Sequence, residues 1–468
     1  MPFEDFVRRY VLLTVSFVSL LAPGTAGAAE GEGPWRLGEA LALPEQWSLG
    51  GSYRARYETL DGGFHTGSSG AEEILVGRLL LGATFTTNRM YAGVELEDSR
   101  QRLAESTTPL GTDVVNTVEP LQGYVGVRFG DAGSKGGGLD VAAGRMTIDA
   151  GSRRLVARNS FRNTINAFTG VHATLTASAG SQIQAFYVLP LQRKPSDFES
   201  LLDNDSALDT ESGDVRFWGI FAARPGIFAG ATGEAYLYGL RSRDQAGIPA
   251  ADREIYTPGV RLYRTPAAED WDFEIEGAVQ FGTSRASTAA TDTRNLQHRA
   301  GFFHGEVGYT LSAPMSPRVE LSYDFASGDR DPADNRNNRF DTLYGARRFD
   351  FGPTGLYGAF ARSNISTPGL RLEARPGSVS GMLGYRAVWL ASRRDQYTTA
   401  RLQDPTGQSG SFLGHQIEAQ VQYNVLPGNV AIELGGAHLF HGTFLKQVQN
   451  APAAEDMTYI YAAATVTF

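Results

Sequence analysis

Apolar and polar residues alternate with a period of two along most of this chain. Between Trp47 and Thr59, the residues Trp47, Leu49, Tyr53, Ala55 and Tyr57 alternate with Ser48, Ser52, Arg54, Arg56 and Glu58. Between Trp271 and Gly282, Trp271, Phe273, Ile275, Val279 and Phe281 alternate with Asp272, Glu274, Glu276 and Gln280. Between Arg318 and Phe325, Val319, Leu321, Tyr323 and Phe325 alternate with Glu320, Ser322 and Asp324. A period of two puts one set of side chains on each face of an extended strand. Similar segments begin near Ile74, Met90, Leu121, Leu139, Asn166, Gln182, Asp214, Thr232, Ile255, Ala300, Ser366, Val379, Phe412 and Asn429. The last is Thr458–Phe468, with Ile460, Ala462, Ala464, Val466 and Phe468 on one face and Tyr459, Tyr461, Thr465 and Thr467 on the other. The pattern predicts about eighteen strands.

The connections carry an independent signal. Short ones recur at Thr87–Arg89, Ala179–Gly180, Arg224–Gly226, Ser312–Ser316, Pro376–Gly377 and Leu426–Asn429, rich in the glycine, proline and asparagine that tight turns need. Between them lie long polar stretches: Arg100–Val118, Leu191–Gly213, Arg241–Glu254, Thr283–Arg299, Ser327–Arg362, Ser392–Ser411 and Gly442–Met457. A β-sandwich has no reason to sort its loops this way. Short periplasmic turns and long extracellular loops do so in an outer-membrane barrel. The expected fold is therefore all-β, a transmembrane antiparallel β-barrel.

The N-terminus fits export. Arg8 and Arg9 precede the apolar run Tyr10–Leu21, and Ala26-Gly27-Ala28 supplies a small-residue cleavage site, so residues 1–28 read as a signal peptide. Residues 29–46 are then a short periplasmic segment and 47–468 the barrel. No other run approaches the roughly 20 apolar residues of a membrane helix. The mean hydropathy of -0.24 is that of a soluble protein or of a barrel diluted by alternation. The absence of cysteine is compatible with either. An even strand count returns both termini to the periplasm.

Charge then narrows the chemistry. Of 42 basic residues only Lys135, Lys194 and Lys446 are lysine, in a chain of net charge -9. Arginine presents a rigid fork to carboxylate, sulfate or phosphate. GC-rich codon usage gives the same bias, so position decides. The polar face of a barrel strand looks inward, which aims Arg54, Arg56, Arg78, Arg128, Arg261, Arg371, Arg375 and Arg386 at the lumen. Glu95, Glu97, Asp272, Glu274, Glu276, Glu320, Asp324 and Glu373 share it, so most of these arginines should be paired and a minority should face a permeant. A barrel of about 18 strands is wide enough for an aqueous channel rather than a packed core. Arg145, Arg153, Arg154, Arg158 and Arg162 cluster in a long connection that is a candidate constriction loop. Ser327–Asn335, with Asp341, spaces carboxylates as a calcium loop does but lacks the glycine and closing glutamate of an EF-hand, and reads as a solvated acidic loop. No G-x-S-x-G, H-E-x-x-H or P-loop is present. Neither an enzyme, a cofactor, a metal site nor a nucleic-acid partner is expected.

Three stretches carry a resemblance: Gly144–Gly170; Leu321–Asp329 with Phe340–Gly345; and Gly414–Glu418 with Tyr423, Pro427 and His438–Phe444. From about residue 47 onward the chain resembles the alginate export family of Gram-negative outer-membrane barrels. The resemblance implies eighteen strands and an electropositive pore passing a carboxylated polysaccharide or smaller anions. It makes Arg145, Arg153 and Arg154 the best matches to pore arginines. The partners implied are the outer-membrane bilayer, the barrel assembly machinery, an anionic solute or polysaccharide and a periplasmic polysaccharide-handling protein. A general porin for small solutes and a loop-plugged surface-binding barrel are the competing readings.

Overall fold

The computed structural model describes residues 33–66, 70–130, 137–244 and 250–468. The signal-peptide expectation, residues 1–28, lies outside them. The chain divides after Pro34, and Trp35–Phe468 forms one structural unit.

The strands run β1 Trp47–Asp61, β2 Ala71–Thr86, β3 Met90–Arg102, β4 Asn116–Gly130, β5 Gly138–Met146, β6 Phe168–Thr176, β7 Gln182–Pro190, β8 Val215–Phe228, β9 Ala231–Ser242 and β10 Arg253–Arg264. They continue with β11 Trp271–Ser284, β12 Leu296–Thr310, β13 Arg318–Ala326, β14 Arg336–Asn337, β15 Ile365–Ala374, β16 Val379–Trp389, β17 Phe412–Leu426, β18 Val430–His441 and β19 Asp456–Thr467. The two-residue β14 pairs parallel to β12 inside a loop. The other eighteen form a closed antiparallel barrel. Closure is made by β1, whose Arg54 is the partner of Arg78 on one side and of Thr465 on the other. The carboxy terminus completes the seam: the Gly51 amide donates to the Phe468 carbonyl at 2.9 Å, and the Phe468 amide donates to the Gly51 carbonyl at 3.0 Å. Among the described residues, closure leaves the eighteen barrel strands with no unpaired edge strand.

Exposure along the strands is inverted relative to a soluble protein. Val125 and Val260 are each 63 % exposed, whereas Arg56, Glu97 and Asp324 are at most 2 % exposed. Apolar side chains therefore face outward, where lipid is their solvent, and charged ones face inward. Several strands outrun their expected limits. For instance, β4 begins at Asn116 rather than near Leu121, and β12 at Leu296 rather than near Ala300. The candidate constriction loop is correspondingly shorter, residues 147–167, and Arg145 belongs to β5.

At the short-turn end, the Trp35 amide donates to Asn429 Oδ1 at 2.9 Å, and Asn429 Nδ2 returns a bond to the Trp35 carbonyl at 2.8 Å. These bonds clip the described part of the N-terminal segment to the β17–β18 turn.

One expectation fails. Barrel width alone suggests an open aqueous lumen, but the long-loop half contains a packed apolar core. Leu155 and Val156 from the 147–167 loop pack there with Phe340, Phe351, Tyr357 and Phe360 from the 327–364 loop, and with Tyr459 and Tyr461 of the wall. Two long loops fold inward and take the volume that width would have left to water.

Candidate functional site

The 147–167 loop is held from below by the wall. Arg54 Nη1 donates to the Ser160 carbonyl at 3.1 Å and its Nη2 to the Arg162 carbonyl at 2.8 Å. Arg78 Nη1 donates to the same two carbonyls, each at 2.9 Å. Arg56 Nη1 donates to the Phe161 carbonyl between them at 2.7 Å, while its Nε donates to Glu58 Oε1 at 2.7 Å. Three inward arginines thus hold a loop tip by its backbone, a role that residue type and spacing do not reveal. The loop does fold inward, but these arginines carry the loop rather than line open water.

Above the tip the two loops lock together. Tyr344 N donates to the Leu155 carbonyl at 3.0 Å, Ala157 N to the Tyr344 carbonyl at 3.1 Å, and Ala346 N to the Arg153 carbonyl at 2.9 Å. Gly345 sits at this crossing, where a Cβ would strike the Arg154 carbonyl. Arg154 reaches both oxygens of Asp350 at 3.0 Å and Glu276 Oε2 at 2.9 Å, and also contacts Glu274. Arg362 binds Asp350 as well, and donates to the Arg154 carbonyl at 2.7 Å. Burial alone would raise the Asp350 carboxyl, but Arg154 and Arg362 outweigh it and hold the group well below the usual range.

Most remaining arginines of the expected set are neutralised by acids. Arg158 forks onto Glu95 at 2.7 and 2.9 Å, Arg145 bridges Glu119 and Glu211, and Arg261 bridges Glu234 and Glu274. Arg386 lies 3.8 Å from Asp324, Arg371 lies 3.5 Å from Glu320, and Arg375 lies 3.5 Å from Glu373. Arg128 pairs with Asp140 at 3.2 Å and stacks on Tyr91 near the short-turn end. Arg54, Arg78, Arg153 and Arg162 form no ion pair among the described residues. Arg153, at a backbone φ of 65°, is exposed over the Phe349 ring.

Cavities follow from this packing. An upper chamber of about 1100 Å³ opens toward the long loops and includes Arg253, Arg285, Arg339, Arg347 and Arg401 in its wall. A lower chamber of about 290 Å³ is lined by Phe161, Arg348, Arg371, Glu373, Arg375 and Glu433. Between them lies a cavity of only about 10 Å³, bounded by Arg56, Glu58, Asp113, Arg162, Thr354 and Gly355. Asp113, Thr354 and Gly355 are shared with the upper chamber, and Arg56 stacks at 4.6 Å on the Phe161 ring of the lower one. This narrow cavity adjoins both chambers and is termed the neck.

Arg56 and Arg162 share the neck with Glu58 and Asp113, and of the two arginines only Arg56 is ion-paired among the described residues. Burial, followed by the field of Arg193, pushes the Arg162 guanidinium down to about 9, so it is still charged at neutral pH. Arg347 is likewise lowered by burial, and donates to the Phe360 carbonyl at 3.0 Å rather than to an acid. Arg193 hydrogen-bonds the Ile165 carbonyl and Asn166 Oδ1. A guanidinium deprived of water beside others is a site where an arriving carboxylate gains.

Arg193, Arg347, Arg348, Arg362 and Asp350 do not stand out in the sequence, because Leu191–Gly213 and Ser327–Arg362 read as polar outer loops. The available signal is aromatic: Phe340, Phe349, Phe351, Tyr357 and Phe360 are too many for a solvated loop. The calcium-like carboxylates serve the fold. Asp331 and Asp334 accept local turn amides, and Asp341 pairs with Arg253. His304, Asp324 and Asp350 bring ligand atoms within 4.8 Å of one another. Arg154, Arg362 and Arg386 already balance those carboxylates, so the donor set does not suit a cation.

Comparison with known proteins agrees with this architecture. The sequence pattern described as alginate export matches residues 45–458, and the chain belongs to that family. No curated protein matches it. Among solved structures it is similar to Pseudomonas aeruginosa OpdQ, with 14% identity over 90% of this chain and 97% of that one and a TM-score of 0.56. It is similar to Acinetobacter baumannii OccAB1, at 13% identity over 91% and 97% with a TM-score of 0.56. Pseudomonas aeruginosa OpdK, solved with vanillate, shares 13% identity over 90% and 98% with a TM-score of 0.54. The protein is an outer-membrane transport channel and not an enzyme.

Proposed function

We propose that this member of the alginate export family conducts carboxylated solutes, with uronate-containing oligosaccharide as its cargo class. The observation that carries the reading is the neck, where Arg162 and Arg347 stand near a narrow passage with no acid partner within ion-pair distance among the described residues. Charge of this kind replaces water around a carboxylate, and several weak sites in series let the solute move on. Arg347 above, and Arg348, Arg371 and Arg375 below, extend that series through both chambers, with Arg153 over the Phe349 ring of the lower one.

A second reading is favoured by the neck's volume. About 10 Å³ admits little more than a water molecule, so a sugar chain passes only when the two inward loops part. A channel for single small carboxylates needs less opening, and OpdK was solved with one, vanillate. Liposome swelling with mono-, di- and longer uronates, beside vanillate, separates the two. Swelling with oligo-uronates supports the saccharide channel. Swelling confined to monomeric acids favours the small-solute porin. Equal swelling with neutral sugars of the same size removes the anion reading altogether.

A further inference from the structure

The lipid-facing surface of the barrel carries a cationic groove that transport through the lumen does not use. Tyr187, Trp218, Gly239, Tyr256 and Phe281 are successive register partners across β7 to β11. Their strand neighbours Phe217, Leu240 and Ile255 are buried inward, so this row faces lipid. Trp218 meets Tyr256 edge-on at 6.1 Å, and Tyr256 stacks on Phe281 at 5.7 Å. Gly239 makes room for the first contact, because a Cβ there would collide with the Trp218 indole. A belt of aromatic rings marks a membrane–water boundary. This belt lies near the long-loop ends of its strands, the outer-leaflet side.

One step beyond the belt, Arg216 of β8 and Arg241 of β9 are direct register partners. Like charges placed opposite each other destabilise a strand pair. Neither forms an ion pair among the described residues. Arg216 Nε donates to the Gly213 carbonyl at 2.7 Å, and its terminal nitrogens have no hydrogen-bond partner among the described residues. Glu254, the partner of Arg241 on β10, instead accepts from the Tyr256 hydroxyl at 2.9 Å. The arginines and the rings bound a groove of about 190 Å³ with Leu240 and Ile255 at its base.

The geometry points to a binding site for a phosphorylated saccharolipid of the outer leaflet, the lipid A anchor of lipopolysaccharide. Two opposed guanidinium forks match a phosphate monoester, whose double negative charge relieves their repulsion. The acyl chains run down over Trp218 and Tyr256. A zwitterionic phospholipid brings its own cation and fits this site poorly. The site stands on the outer wall and does not depend on what passes through the lumen.

Native mass spectrometry of the full detergent-solubilised barrel tests this with three probes: bisphosphorylated lipid A, its dephosphorylated form and phosphatidylethanolamine. The wild type should retain bisphosphorylated lipid A selectively. The double variant R216Q/R241Q should retain it at least tenfold less, a loss of about 1.4 kcal/mol or more. R100Q/R102Q, which removes outward charge from β3, should bind as the wild type does. Equal retention by wild type and R216Q/R241Q, or of lipid A with and without phosphate, overturns the site. Should R216Q/R241Q lose the heat-modifiable mobility of a folded barrel, the comparison of the three probes on wild type decides alone.

Discussion

Arg154 grips both carboxylate oxygens of Asp350 at 3.0 Å, tying the 147–167 loop to the 327–364 loop inside the barrel. Each is at most 4 % exposed in its side chain, so neither charge can be left alone without large cost. Removing one partner of such a buried pair costs about 3–5 kcal/mol. D350A and R154A should therefore part the two loops and raise single-channel conductance, while the barrel itself stays folded. Unchanged conductance in both would mean that the latch does not control the lumen.

The same pair sets a pH dependence. Asp350 has its folded value depressed by Arg154 and Arg362 against the effect of burial. Its contribution is fully present above the unfolded carboxylate value of about 4 and is lost as pH falls through the depressed folded value. Conductance should be flat from neutral pH down to about 5 and rise only in stronger acid. A rise already at pH 6 would point to a different titrating group.

Selectivity should follow the arginines that lack acids rather than those that the sequence makes most conspicuous. Arg145 is balanced by Glu119 and Glu211, and Arg154 by Asp350, Glu274 and Glu276. Arg162 and Arg347 form no ion pair among the described residues, and only the field of Asp113 reaches both. R162Q/R347Q should lower the anion-to-cation permeability ratio by about tenfold, the equivalent of one charge-assisted contact. R145Q should change it little. Reversal potentials across a salt gradient measure both, and a larger effect from R145Q would reverse this assignment.

Much of the wall was legible because a strand's period of two and the sorting of short turns from long loops are local properties. Strand existence, the inward set of arginines and the closing role of Thr458–Phe468 follow from them. What the inward arginines do was not legible. Arg54, Arg56 and Arg78 bind carbonyls of residues 160–162, and Arg154 binds Asp350 across 196 positions of sequence. Such partners are fixed by how a loop folds into the lumen, and no periodicity records that. The 327–364 loop misleads for a related reason: its acids suggest solvent, whereas its aromatic residues decide its place.

The carbonyl cradle gives a further test. Arg54 spans the Ser160 and Arg162 carbonyls with its two terminal nitrogens, and Arg78 reaches both carbonyls from Nη1. A lysine ammonium keeps the charge but not the planar fork. R54K/R78K should therefore loosen the tip by about 1–3 kcal/mol, seen as faster amide exchange over residues 158–164 and as flickering current. Protection equal to wild type would show that charge alone suffices.

Glu58 is the junction of wall, seam and loop. Its Oε2 accepts from the Tyr459 hydroxyl of the closing strand and from the Leu356 amide of the inward loop, both at 2.8 Å, while Oε1 takes Arg56. Gly355 lies so close to this carboxylate that a Cβ has no room. Tyr459→Phe removes one neutral-to-charged bond and leaves the packing, so the seam should weaken by about 1–2 kcal/mol. Gly355→Ala forces the loop off Glu58 at a comparable cost of about 1–3 kcal/mol, and it also opens the neck. The two variants should lower the temperature at which the folded band disappears in heat-modifiable electrophoresis by similar amounts. Only Gly355→Ala should raise conductance. A conductance rise in Tyr459→Phe as well would mean that the seam, rather than the inward loop, sets the width of the neck.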